Sequence, residues 1–173
     1  MIDFDEFADA KRHPFSNLES KLARAYRETV EELVAASKDL WKTMRVDDQM
    51  LPYFLPEYED PALVINAAED RLAKIQSDIE NFVEIVGGYS RFDVAQKLHR
   101  CELDIANAKR KAKNVRKRAT QENPNLNLYE IEKLDVVQAA YAEREAKISE
   151  LNPLIAELDG KLQRAKEILK KYG

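Results

Sequence analysis

The last third of the chain carries an apolar repeat that few arrangements can bury. With Leu134, Tyr141, Ile148, Ile155, Leu162 and Leu169 as heptad a positions, the d positions are Val137, Arg144, Leu151, Leu158, Ala165 and Tyr172. Every one of these is apolar or aromatic except Arg144. A seam that recurs every ~3.5 residues without a slip belongs to a helix that packs one stripe against another helix along its length.

The preceding segment offers the partner seam. Leu98, Ile105, Ala112 and Ala119 fall at a, and Val94, Cys101, Ala108 and Val115 at d. In an antiparallel pair an a residue faces a d residue. The pairs Val94/Ile155, Leu98/Leu151, Cys101/Ile148, Ile105/Arg144, Ala108/Tyr141, Ala112/Val137 and Val115/Leu134 all share one centre, between Pro124 and Asn125. Turn residues Asn123-Pro124-Asn125 stand at that point. Small side chains on one arm meet larger ones on the other, as interdigitating cores require. Two seams and one turn therefore predict an antiparallel coiled-coil hairpin, with arms over about residues 91–122 and 128–172.

Two further helices are expected upstream. Ser16 with Glu19 reads as a capping box and Phe15 as its staple, opening a helix over about residues 16–45. Its stripe is Leu22, Tyr26, Val30, Leu33, Ser37, Leu40 and Met44. A helix over residues 61–86 starts at Asp60-Pro61 and stops at Gly87-Gly88. Its seam is Ile65, Ala68, Leu72, Ile75, Ile79, Phe82 and Val86. Ser90 with Asp93 restarts the chain, and Asn127 with Glu130 caps the last arm. Ile148, Leu151, Ile155 and Leu158 keep phase across Asn152-Pro153, which predicts a kinked but continuous helix there. The fold class expected is all-α: an elongated four-helix bundle built around the hairpin. Residues 1–15 form an acidic-aromatic segment ahead of one helical domain over 16–173. In the hairpin register the seam residues Leu162, Ala165, Leu169 and Tyr172 overhang the shorter arm. They must cover themselves on the first helix, on the N-terminal segment or on another chain.

Composition agrees with long helices, because only 4 Gly and 6 Pro occur in 173 residues while 35% of residues are charged. The net charge of −4 gives no global case for nucleic-acid binding, so such a case must rest on local clustering. No run is apolar enough for a membrane span, and the acidic start is no signal peptide, so the expected location is cytoplasmic, with incorporation into a larger particle or machine after synthesis.

Chemistry-bearing spacings are scarce. His99 and Cys101 do not share a helix face, and no Glu-x-x-His occurs, so no metal is expected. Cys101 has no partner for an internal disulfide and reads as a small buried hydrophobe on the seam. No glycine-rich phosphate loop or nucleophile elbow exists. No cofactor, no small-molecule substrate and no enzymatic activity are expected.

What remains is surface. Lys109, Arg110, Lys111, Lys113, Arg116, Lys117 and Arg118 crowd the end of the first hairpin arm with no acid among them. Glu130, Glu132 and Asp135 across the turn can neutralise only some of these. The cluster is a candidate for an acidic protein surface or for backbone phosphate. Phe4, Phe7, Tyr53, Phe54, Tyr58, Leu162, Leu169 and Tyr172 are candidate protein-docking residues. The acidic stretches 1–9 and 47–60 complement the basic tip, so copies of the chain can associate head to tail. Arg144, the charge within the seam, is expected to pair with Glu102. The favoured function is that of a structural or adaptor protein acting by helix-mediated contact with other chains, through self-association or within a larger assembly. The alternative is a helical protein that binds phosphate backbone through the basic tip.

Overall fold

The computed structural model describes residues 18–43 and 61–173. Among these residues every regular element is a helix: α1 (Ser20–Thr43), α2 (Pro61–Val86), α3 (Phe92–Glu122), α4 (Leu128–Glu132) and α5 (Asp135–Lys170). The protein is all-α. None of these helices is long and apolar enough to cross a membrane. The candidate docking residues Phe4, Phe7, Tyr53, Phe54 and Tyr58, and the capping residue Ser16, lie outside the described residues.

The chain falls into two compact units. One joins the described part of Met1–Arg91 to Arg164–Gly173, and the other is Phe92–Gln163.

In the first unit, α1 and α2 bury facing stripes. Val30, Leu33 and Ala36 pack with Ile65, Ala68 and Leu72, and Tyr26, Val34, Leu40 and Val64 close the sides. The three-four spacing of the α2 seam puts all its residues on one face, and all of them are buried from Ile65 to Val86. Phe82 and Leu22 are fully enclosed. Gly87 ends α2 at φ 67°, a left-handed conformation that glycine adopts without a Cβ penalty. Its N–H bonds the Val83 carbonyl at 2.8 Å.

Ser16 lies outside the described residues, and Glu19 is engaged far along the chain. Its carboxylate accepts from the Arg91 backbone N–H at 3.1 Å and from Arg91 Nε at 2.9 Å, while its own N–H donates to the Tyr89 carbonyl at 2.9 Å. The helix accordingly begins at Ser20. The half-buried carboxylate thus accepts one charge-assisted bond from a guanidinium and one from a backbone N–H. This clasp ties the start of α1 to the chain just past α2, so the two helices run antiparallel.

The C-terminal residues complete this unit. Ala165 and Leu169 are buried. The Tyr172 hydroxyl donates to Asp78 Oδ2 on α2, and Lys171 Nζ reaches Asp78 Oδ1 at 2.9 Å. Burial, the hydrogen bond and the charge of Asp78 all favour the protonated phenol, so the Tyr172 pKa stands far above the ordinary tyrosine value of 10.0. A raised pKa means that the fold retains a proton which the unfolded chain releases near pH ~10. That contribution is complete below pH ~10 and is lost as pH rises further. Denaturant melts between about pH 8 and pH 11 are therefore expected to show wild-type stability falling more steeply at the alkaline end than that of Tyr172→Phe.

In the second unit, α3 turns its seam inward. Val94, Cys101, Ala112 and Ala119 are buried, and Leu98, Ile105, Ala108 and Val115 are half-buried. On α5, Val137, Leu151 and Leu158 are buried, with Tyr141, Ile148 and Ile155 half-buried between them. Two ion pairs join the segments: Lys111 to Glu143 at 2.7 Å and Arg116 to Glu132 at 2.6 Å. Their partners run in opposite order along the chain. Helix α5 is unbroken through Pro153, as the phase of its seam predicts.

The helix expected over 128–172 is, however, two helices. Asn127 caps α4 with the full reciprocal box: its side chain accepts from Glu130 N–H at 2.9 Å, and Glu130 Oε2 accepts from Asn127 N–H at 2.8 Å. The chain then tightens. Lys133 N–H bonds Glu130 O and Leu134 N–H bonds Ile131 O, three residues back rather than four. The purpose of the break is visible in the core. It lets Ile131, an off-seam residue, join Ala119 and Val137 in a cluster closed by Leu126, Leu134 and Tyr141. A straight helix in seam phase would turn Ile131 aside.

Arg144 also departs from expectation. It does not pair with Glu102. Its guanidinium meets Glu145 at 3.0 Å and lies 4.7 Å from the centre of the Tyr141 ring. It borders a cleft that includes Ala108, Ala112 and Ala140, where small side chains leave space. Exposed pairs of this kind contribute little, so Arg144→Leu is expected to fill the cleft and raise stability by about 1 kcal/mol, read as a later denaturant midpoint.

Candidate interaction surface

Helix α3 positions the basic cluster, and its register decides which charges are neutralised. At 3.6 residues per turn, Lys109, Lys113 and Lys117 stand in one column, with Arg116 beside them and Arg110 at the margin. Lys111 and Arg118 fall on the other side. Lys111 is neutralised by Glu143. Arg116 is neutralised by Glu132, whose second oxygen accepts the Tyr141 hydroxyl at 2.6 Å. That hydrogen bond is the main reason the Tyr141 pKa is raised, with burial and the Glu132 charge adding to it.

The other acids expected to serve are engaged elsewhere. Glu130 is held in its own capping box. Asp135 occupies the first turn of α5, where the helix dipole favours a carboxylate. Among the described residues Arg110 donates to the Asn107 side-chain oxygen and meets no carboxylate. Lys109, Lys113, Lys117 and Arg118 are exposed and have no carboxylate partner among the described residues. The Lys109–Lys113 and Lys113–Lys117 pairs repel at i,i+4, each at a cost of about 0.2–0.5 kcal/mol.

Exposed apolar side chains that the sequence reading did not single out stand on α4, whose Glu132 holds Arg116. Leu128 and Tyr129 are 65% and 68% exposed. They stand four and three residues before Glu132, so they flank the carboxylate that holds Arg116. Val136, in the first turn of α5, is also exposed. One face of the Tyr129 ring carries Lys133 Nζ at 4.0 Å. The signal for Leu128, Tyr129 and Val136 in the sequence was only that they lie off the seam.

The remaining candidates are placed differently. Leu169 is buried, Leu162 is half-buried and Tyr172 is bonded to Asp78, all within the chain's own fold. His99 is exposed and Cys101 is buried. Among the described residues no group of His, Cys, Asp or Glu side chains is arranged to hold a metal ion. The surface can present cations at intervals of about 6 Å beside apolar side chains, on a backbone fixed by a capping box and two ion pairs. Comparison with protein-family models, with curated proteins and with solved structures finds no match to this chain, so its function has to be argued from this surface.

Proposed function

We propose that the protein is a non-enzymatic structural or adaptor component that works by helix-mediated contact with other protein chains in a larger assembly. Its working part is the tip of an antiparallel coiled-coil hairpin formed by α3 and α5 and turned through α4. The observation that carries this reading is that Arg116, beside a Lys109–Lys113–Lys117 column with no carboxylate partner among the described residues, is held by Glu132 of the same short helix that exposes Leu128 and Tyr129. Apolar side chains gain nothing from phosphate, whereas a protein surface offers acids and apolar groups together, and aromatic and basic residues are the usual anchors of such contacts.

Cross-linking of the complex from its native source tests this. An amine-reactive reagent is expected to join Lys109, Lys113 or Lys117 to a protein, in a complex heavier than the 20.0 kDa of one chain. Isolation as a single chain, or cross-links to nucleic acid alone, overturns the reading. A second reading, binding of phosphate backbone, is favoured by the free lysine column alone. Its sign is binding of labelled RNA or DNA at physiological salt that is lost when Lys109, Arg110, Lys113, Arg116 and Lys117 are changed to Glu.

A further inference from the structure

We propose that the tip surface of one copy binds the acidic-aromatic segment 1–9 of a second copy, so that the protein assembles head to tail. The inference rests on the protein-contact reading above and names its partner. The surface requires a ligand with carboxylates spaced to meet lysines about 6 Å apart, and with large apolar groups to cover Leu128 and Tyr129. Residues 1–9 supply Asp3, Asp5, Glu6 and Asp9 together with Ile2, Phe4 and Phe7, and no base precedes Lys11. In the sequence Asp5 and Asp9 are four residues apart, the same interval as successive lysines of the column, and Phe4 and Phe7 are interspersed with them.

Among the described residues, the acids nearest the tip are engaged elsewhere. Glu132 is committed to Arg116 and Tyr141, Glu143 to Lys111, and Glu130 to its cap. The binding surface and the bound segment are different parts of the molecule, so the contact is heterologous. Such contacts do not stop at a dimer unless the rotation closes a ring. Because the cations are exposed, the association weakens as salt shortens the screening length.

Sedimentation of the nuclease-treated full chain decides the matter. At low salt the average mass is expected to rise above 20.0 kDa with concentration and to pass the dimer, returning to 20.0 kDa in about 1 M salt. The triple variant Lys109→Glu, Lys113→Glu, Lys117→Glu is expected to stay monomeric, and so is Asp3→Lys, Asp5→Lys, Glu6→Lys. The chain carrying all six reversals is expected to associate again, which a misfolded variant cannot do. A monomeric wild type at low salt overturns the proposal, as does association that survives either triple reversal, a six-fold variant that stays monomeric, or association abolished by nuclease. If the wild type is monomeric while native-source cross-links still run from the column to another protein, only the identity of the partner falls and the adaptor reading stands.

Discussion

Phe82→Ala is expected to destabilise the α1–α2 unit by about 3–5 kcal/mol. Phe82 is fully enclosed near the end of a seam whose every residue is buried. Removing the ring forfeits its transfer free energy and leaves a void which helices clamped in place cannot close. The clamp is specific. Glu19 ties the start of α1 to Arg91 and Tyr89 just past α2, which limits how far the two helices can collapse inward. Urea unfolding followed by circular dichroism measures the loss, with Phe82→Leu expected to cost markedly less because it retains most of the volume. A loss below about 1 kcal/mol for Phe82→Ala would show that the core around Phe82 is loosely packed.

The second large effect falls in the other unit. Ile131→Ala is expected to cost about 2–5 kcal/mol, while Leu128→Ala, three residues away, is expected to change stability by less than about 0.5 kcal/mol. The contrast follows from position alone. Ile131 is completely buried with Ala119 and Val137, and Leu128 is 65% exposed. Hydrogen exchange adds a local readout, since loss of Ile131 is expected to raise exchange in α4 and the first turns of α5 before it affects the Leu151 region. Equal costs for the two substitutions would contradict the burial of Ile131 with Ala119 and Val137.

These two sites also mark the limits of what the sequence discloses. The α2 seam and the α3 and α5 seams were legible because helical periodicity is a property of the chain itself, repeated until no other phase fits. Gly87 and the Asn127 box were legible because their chemistry is local. The division of the last arm into α4 and α5 was not, since Lys133 and Leu134 are no helix breakers. What breaks the helix is the burial of Ile131 against Ala119, a residue from another helix. The engagement of Glu19 with Arg91, 72 residues away, was likewise not legible from the local sequence. At the basic tip the cluster was evident as composition, but the division into paired and free cations was not. Lys111 takes Glu143 rather than any acid near the turn, and that choice depends on how the helices lie. The apolar C-terminal residues read as an overhang seeking cover until Asp78 on α2 appeared beside Tyr172.

The lysine column has a thermodynamic consequence of its own. Because Lys109, Lys113 and Lys117 repel one another with no carboxylate beside them among the described residues, the free protein holds α3 a few tenths of a kcal/mol per pair above its relaxed state. Whatever seats acids on that face releases this repulsion in addition to forming its own contacts. Occupancy and folding are thereby linked: a ligand of the column raises the melting temperature of the unit that carries α3, and it does so in proportion to the logarithm of its concentration once the site is filled.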